Sequence, residues 1–110
     1  MNIMSDVFNE REKGFEAKFK MDEEMEFKIA ARRNSLLGSW LAEKLGLPES
    51  EHQAYSKEVV LADLEEPGEE DIIRKVMNDV KDRGAKLTET DIRLKLDELQ
   101  RVALEQIVNE

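Results

Sequence analysis

Leu36-Leu37-Gly38-Ser39-Trp40-Leu41-Ala42-Glu43-Lys44-Leu45-Gly46-Leu47-Pro48-Glu49-Ser50-Glu51-His52-Gln53 carries a helix end and a helix start within a few residues. Apolar residues lead into it at Met21, Met25, Ile29, Leu36, Leu37, Trp40, Leu41 and Leu45, spaced mostly by three and four, as on one helix face. Three stop signals come next. Lys44 complements the negative C-terminal end of a helix, Gly46 suits a left-handed backbone, and Pro48 cannot continue the helix. Ser50, with Gln53 three residues on, is predicted to cap the next helix through a capping box.

The same reading extends along the rest of the chain. Ala54, Tyr55, Val59, Val60, Ala62 and Leu64 form a broad apolar face that ends before Pro67-Gly68. Glu69, Glu70 and Asp71 favour the positive end of a third helix, whose face is Ile72, Ile73, Val76, Met77 and Val80 and whose stop is Gly84. Thr88 is predicted to cap a fourth helix, with Asp91 at N3 and Leu87 and Ile92 as a hydrophobic staple. Ile92, Leu96, Leu99, Ala103 and Ile107 carry its stripe. Connections of about three to six residues favour antiparallel neighbours. The expected fold is all-α: a small four-helix bundle over residues 21–110, preceded by a projecting, partly flexible N-terminal arm over residues 1–20.

Composition agrees. A chain of 110 residues holds one modest core, and 5% aromatic residues with few valines or threonines argue against a sandwich or barrel. The net charge of −9 disfavours nucleic acid and anionic membrane surfaces as partners. That charge is uneven: residues 1–20 hold four acids and four bases, while residues 49–84 hold eleven acids and five bases. Absence of cysteine excludes disulfides and thiolate metal sites. No apolar run approaches the roughly 18 residues of a membrane span. The polar start, MNIMSDVFNEREK, does not suit a signal peptide, so a cytoplasmic protein is expected, without direct membrane insertion. No nucleophile–base pair and no glycine-rich phosphate loop can be built, since the one histidine stands alone and the five glycines are isolated. The sequence does not read as an enzyme.

The arm is the part that needs a function. The helical pattern of the first element can be followed back to Phe8, about 38 residues and roughly 57 Å if unbroken. Partner helices of about 30 Å cannot cover that length, so residues before Met21 project, fray or await a partner. Phe8, Phe15 and Phe19, three of the four phenylalanines in the chain, share one helix face. Charges between them form pairs four apart that favour helix, and Gly14 opposes it by about 1 kcal/mol. A marginal helix with aromatic anchors is the format of a segment that folds into a partner's groove. Phe8, Phe15 and Phe19 are the candidate anchors, with Arg11, Glu12, Glu16 and Lys18 as charges that set register. The plainer account is that the phenylalanines extend the bundle core.

Several stretches carry a family likeness: Phe8-Asn9-Glu10-Arg11-Glu12, Phe15-Glu16-Ala17-Lys18-Phe19, Asp22-Glu23-Glu24, Phe27-Lys28, Ala31-Arg32-Arg33-Asn34, Leu37-Gly38-Ser39-Trp40 and Ala62-Asp63-Leu64-Glu65-Glu66-Pro67-Gly68. In this order the chain resembles the alphaproteobacterial F-type ATP synthase inhibitor, the zeta subunit family, over most of its length and less so after about residue 85. The resemblance implies an inhibitor whose N-terminal segment becomes helical and wedges into a catalytic interface of the synthase head. The implied partners are the alpha, beta and central stalk subunits, at the inner membrane. It implies a block of ATP hydrolysis much more than of synthesis. It also carries a softer implication, ADP or ATP binding to the bundle, which leaves a nucleotide-responsive regulatory bundle as the alternative function. Two departures stand out: Met1 to Val7 precede the arm pattern, and Gly14 replaces the usual alanine, which points toward weaker inhibition.

Outside the arm, Arg32, Arg33, Trp40 and Lys57 are the candidate nucleotide or partner contacts. Plainer accounts stand beside three of them: Arg32 and Arg33 as a solvated face paired to nearby glutamates, and Trp40 as core; Gly38 beside it reads as a site of close helix packing. The run Asp63, Glu65, Glu66, Glu69, Glu70 and Asp71 lacks the ligand spacing of a calcium loop and reads as helix-end electrostatics. His52 reads as a surface residue, and no metal site is expected.

Overall fold

A computed structural model of the chain describes residues 22–65 and 68–110. Four helices occur in order: α1 (Glu23–Lys44), α2 (Glu49–Glu65), α3 (Glu69–Arg83) and α4 (Glu89–Val108). The all-α, four-helix expectation is met. Arm residues 1–20 and Met21 lie outside the described residues.

Helix boundaries obey local chemistry, with two corrections. Asp22 has extended backbone (φ −78°, ψ 175°), and its carboxylate accepts the Met25 N–H at 2.8 Å. It therefore starts α1 at Glu23, so the pattern read back to Phe8 is not one unbroken helix through Asp22. The other end behaves as expected. Gly46 takes φ +75°, its N–H donates to Glu43 O, and the Leu47 N–H donates to Ala42 O at 2.9 Å, the paired bonds of a Schellman stop. The second correction concerns α2, which opens at Glu49, with Ser50 inside its first turn. The Glu51 N–H is satisfied by Pro48 O at 2.8 Å, so the start needs no serine cap. Gly84 ends α3 in the left-handed region (φ +65°), and Thr88 with Asp91 forms the predicted capping box at α4.

α1 is the central helix, packed antiparallel against α2 most extensively and against α4 next, while α3 lies against α2 and α4. The α1–α2 approach is set at Gly38, where a Cβ would stand 2.5 Å from Ser56 Cα. Ser56 Oγ donates to Ser35 O at 2.6 Å across the same contact. Leu37, Leu41, Val59, Ile72, Val76, Ile92 and Leu96 fill the interior between the four helices. Ala54 and Leu64, expected on the apolar face of α2, are exposed instead, because Tyr55, Ser56 and Val59 turn that helix toward α1 and α3. Among the described residues no helix is long and apolar enough to cross a membrane.

Candidate functional site

The expected effector residues Phe8, Arg11, Glu12, Phe15, Glu16, Lys18 and Phe19 fall outside the described residues. The body that would carry them is described, and its candidate contacts separate into three places.

Arg32 and Arg33 leave the same stretch of α1 and both reach α4. Arg32 donates to Gln106 Oε1 at 2.7 Å and pairs with the Glu110 carboxylate. Arg33 donates to Gln100 Oε1 at 3.1 Å and, through Nε, to Asn34 Oδ1 at 3.1 Å. The expectation of pairing to nearby glutamates is half right: one partner is a glutamate, the others are amides, and most are distant in sequence. These guanidiniums tie α1 to the C-terminal half of α4. Lys57 is an exposed residue of α2.

Trp40 corrects the expectation of a core residue. It is half-buried, packed on the edge of the core and open on its other side. The ring lies in a shallow groove of about 340 Å³ along the α1–α4 seam, lined also by Lys44, Leu87, Asp91, Leu94, Lys95 and Glu98. Lys95 Nζ stands 5.0 Å and Lys44 Nζ 5.8 Å from the ring centre, both within cation–π range. Lys95 also holds the Glu98 carboxyl below the usual carboxylate range by hydrogen bonding to it at 2.7 Å. The groove thus offers an aromatic face with two ammonium groups. Neither Arg32, Arg33 nor Lys57 lines it. Lys44 and Lys95 carry no local motif, and only the α1–α4 packing brings them to one ring.

Elsewhere the polar groups are used structurally. Asn34 is fully buried; its Nδ2 donates to Asp63 Oδ2 at 3.0 Å, and Asp63 Oδ1 accepts the Gly68 N–H at 3.2 Å. Tyr55 donates its hydroxyl hydrogen to Asp79 Oδ2 at 2.7 Å, and Lys75 donates to the same oxygen at 2.8 Å. Burial first, and then this hydrogen bond to Asp79, push the phenol far above its ordinary range, so Tyr55 is a fixed donor and not a base. Burial alone would lower the Lys75 ammonium, but hydrogen bonds to Asp79 and Glu58 outweigh it and leave it raised.

The acidic run resolves into helix-end pairing. Glu70 accepts two hydrogen bonds from Arg93 at 2.8 and 2.9 Å, which lower its carboxyl, and Asp71 pairs with Arg74 at 2.8 Å. Among the described residues no group of His, Asp and Glu is arranged to hold a metal. His52 is half-buried, not a free surface residue: its Nε2–H donates to Leu47 O at 2.8 Å and clasps the α1–α2 turn.

No curated protein sequence matches the chain. A solution NMR structure shares the fold at 45% sequence identity with a TM-score of 0.68, over 77% of this chain and 96% of that one. The model of the ATPase inhibitor subunit zeta family matches residues 4–106, nearly the whole chain, including residues 4–20 of the arm, α1 to α3 and all but the last two residues of α4. Members are inhibitor subunits and not catalysts. The chain belongs to the ATPase inhibitor subunit zeta family.

Proposed function

We propose that this chain blocks ATP hydrolysis by the F-type ATP synthase by inserting its N-terminal arm, residues 1–20, as a helix into a catalytic interface of the head. The observation that carries this reading is the family match, which begins at residue 4 and so takes in the arm. Phe8, Phe15 and Phe19 would exclude water from the interface, and Arg11, Glu12, Glu16 and Lys18 would set register against the alpha, beta and central stalk subunits. The α1–α4 body would remain outside as a docking mass, on the cytoplasmic side and peripheral to the inner membrane. Deleting residues 1–20 is expected to abolish inhibition of the isolated head in a hydrolysis assay while helicity by circular dichroism is kept. Full inhibition by the folded, truncated chain would sink the assigned role of the arm.

The second reading, a bundle that responds to ADP or ATP, is supported by one observation, the Trp40 ring beside Lys44 and Lys95. An aromatic face can stack a base while ammonium groups meet phosphates. Trp40 is the only tryptophan, so its fluorescence reports on the groove directly. A saturable change on titration with ATP below millimolar concentration supports this reading, and a flat titration removes it.

A further inference from the structure

We propose that one end of the body is a latched joint: Arg32 and Arg33 clasp the last turns of α4 to the first turns of α1, and this two-helix neck opens as one unit while the four-helix part stays closed. A consequence, that opening lets α1 follow the arm toward a partner, rests on the proposed role of the arm; the latch itself does not.

The neck is what unequal helices leave behind. α1 and α4 run antiparallel, with Lys95 over Trp40, Gln100 bonded to Arg33 and Gln106 bonded to Arg32. α2 is level with Asn34 at Asp63 and ends two residues later at Glu65. α3 is tied to α4 by Glu69 and Glu70 at Arg93, before Gln100 is reached. From about Arg32 back to Glu23, roughly 15 Å of helix, α1 has α4 as its remaining helical neighbour among the described residues.

The fastening changes character at the same level. The joined apolar cluster stops at Leu37 on α1 and at Leu96 on α4, with Leu99 packed on its edge. Ile29 and Ala103 are buried but stand outside that cluster. The side-chain bonds that cross the neck run from Arg33 to Gln100 Oε1 at 3.1 Å, and from Arg32 to Gln106 Oε1 at 2.7 Å and to the Glu110 carboxylate. The Arg32 and Glu110 side chains are 33% and 55% exposed, and ion pairs this open to water contribute little to stability. A segment fastened by exposed polar side chains opens at a lower free energy than one closed by an apolar cluster. Two adjacent guanidiniums grip points ten residues apart on α4, so the turns between Gln100 and Glu110 leave α1 together and not one residue at a time. Asp22 caps the outer end of the neck, so the arm is attached to the part that moves.

Amide hydrogen exchange of the full chain, followed by NMR, tests the latch. Amides of residues 27–33 and 101–107 are expected to exchange as one group with a common denaturant slope, at least about tenfold faster than those of Leu37, Leu41, Val76 and Leu96. Arg32→Ala is expected to speed both segments about three- to tenfold and to leave those four reference amides unchanged. Gln100→Glu gives Arg33 a charged acceptor in place of a neutral one and is expected to slow both segments about two- to fivefold. Rates that grade inward from residue 108, with residues 27–33 as slow as Leu37, would overturn the joint opening in favour of end fraying. No response to Arg32→Ala, or an equal response at the reference amides, would overturn the latch. In a hydrolysis assay with the isolated head, Gln100→Glu is expected to reach the same final inhibition with an onset about two- to fivefold slower. An unchanged onset would overturn the coupling to the arm and leave the latch standing. Absence of inhibition by the natural chain, with neck exchange as expected, would sink the proposed function alone.

Discussion

A methyl group at Gly38 has no room. Its Cβ would stand 2.5 Å from Ser56 Cα, a backbone atom that no rotamer change can move aside. Gly38→Ala is therefore expected to push α1 and α2 apart and to destabilise the fold by about 1–3 kcal/mol, read as a lower urea midpoint. An unchanged midpoint would mean that the two helices slide at no cost. Tyr55 gives a second residue-scale prediction, with a defined pH sign. Its phenol is raised in the folded state, so the proton is held there more tightly than in the unfolded chain. Stability from this group is complete below the ordinary tyrosine value of 10.0 and falls as pH rises beyond it. Thermal melts between pH 8 and 11 should show a steeper alkaline loss for the natural chain than for Tyr55→Phe. Parallel losses would contradict the burial argument.

At the scale of elements, most boundaries were legible because their causes are local. Gly46, Gly84 and Thr88 act within a few residues of themselves, and each ends or starts a helix where expected. Ser50 failed because Pro48 opened the helix one step earlier and its carbonyl already served the Glu51 N–H. Periodicity placed Trp40 on the right stripe but did not show that the α1–α4 seam leaves the ring partly exposed, nor that Lys95 would stand over it. The partners of Arg33 and Arg32 on α4, Gln100 and Gln106, lie 67 and 74 residues away and leave no local trace. Thr88→Ala removes the hydroxyl that accepts the Asp91 N–H but keeps the backbone N–H that donates to the Asp91 carboxylate, and should cost about 0.5–2 kcal/mol in chemical denaturation. In the arm, Gly14→Ala is expected to gain about 1 kcal/mol of helix propensity and to strengthen inhibition. Unchanged potency despite higher measured helicity would show that helix formation does not limit the arm.

The whole molecule divides by where its contacts are. The buried apolar residues of the described body run from Ile29 to Ala103, and α1 has its own cap at Asp22, so no core contact among these residues needs the first 20. The charge divides at the same place: residues 1–20 are neutral, and the whole of the −9 belongs to residues 21–110. Self-repulsion disfavours association of the acidic body with like-charged surfaces, and residues 1–20 carry no net charge to add to that repulsion. The same separation predicts the folding behaviour of a chain lacking residues 1–20. Its urea transition should remain cooperative, since the buried helix–helix contacts among the described residues are all retained. The midpoint should fall only slightly, by the equivalent of no more than about 1 kcal/mol, roughly what one partly buried phenylalanine contributes. The slope with denaturant should decrease modestly, because a shorter unfolded chain exposes less new surface. A broad or absent transition in the truncated chain would show that the arm is part of the core, and would return its phenylalanines to the plainer role of extending the bundle.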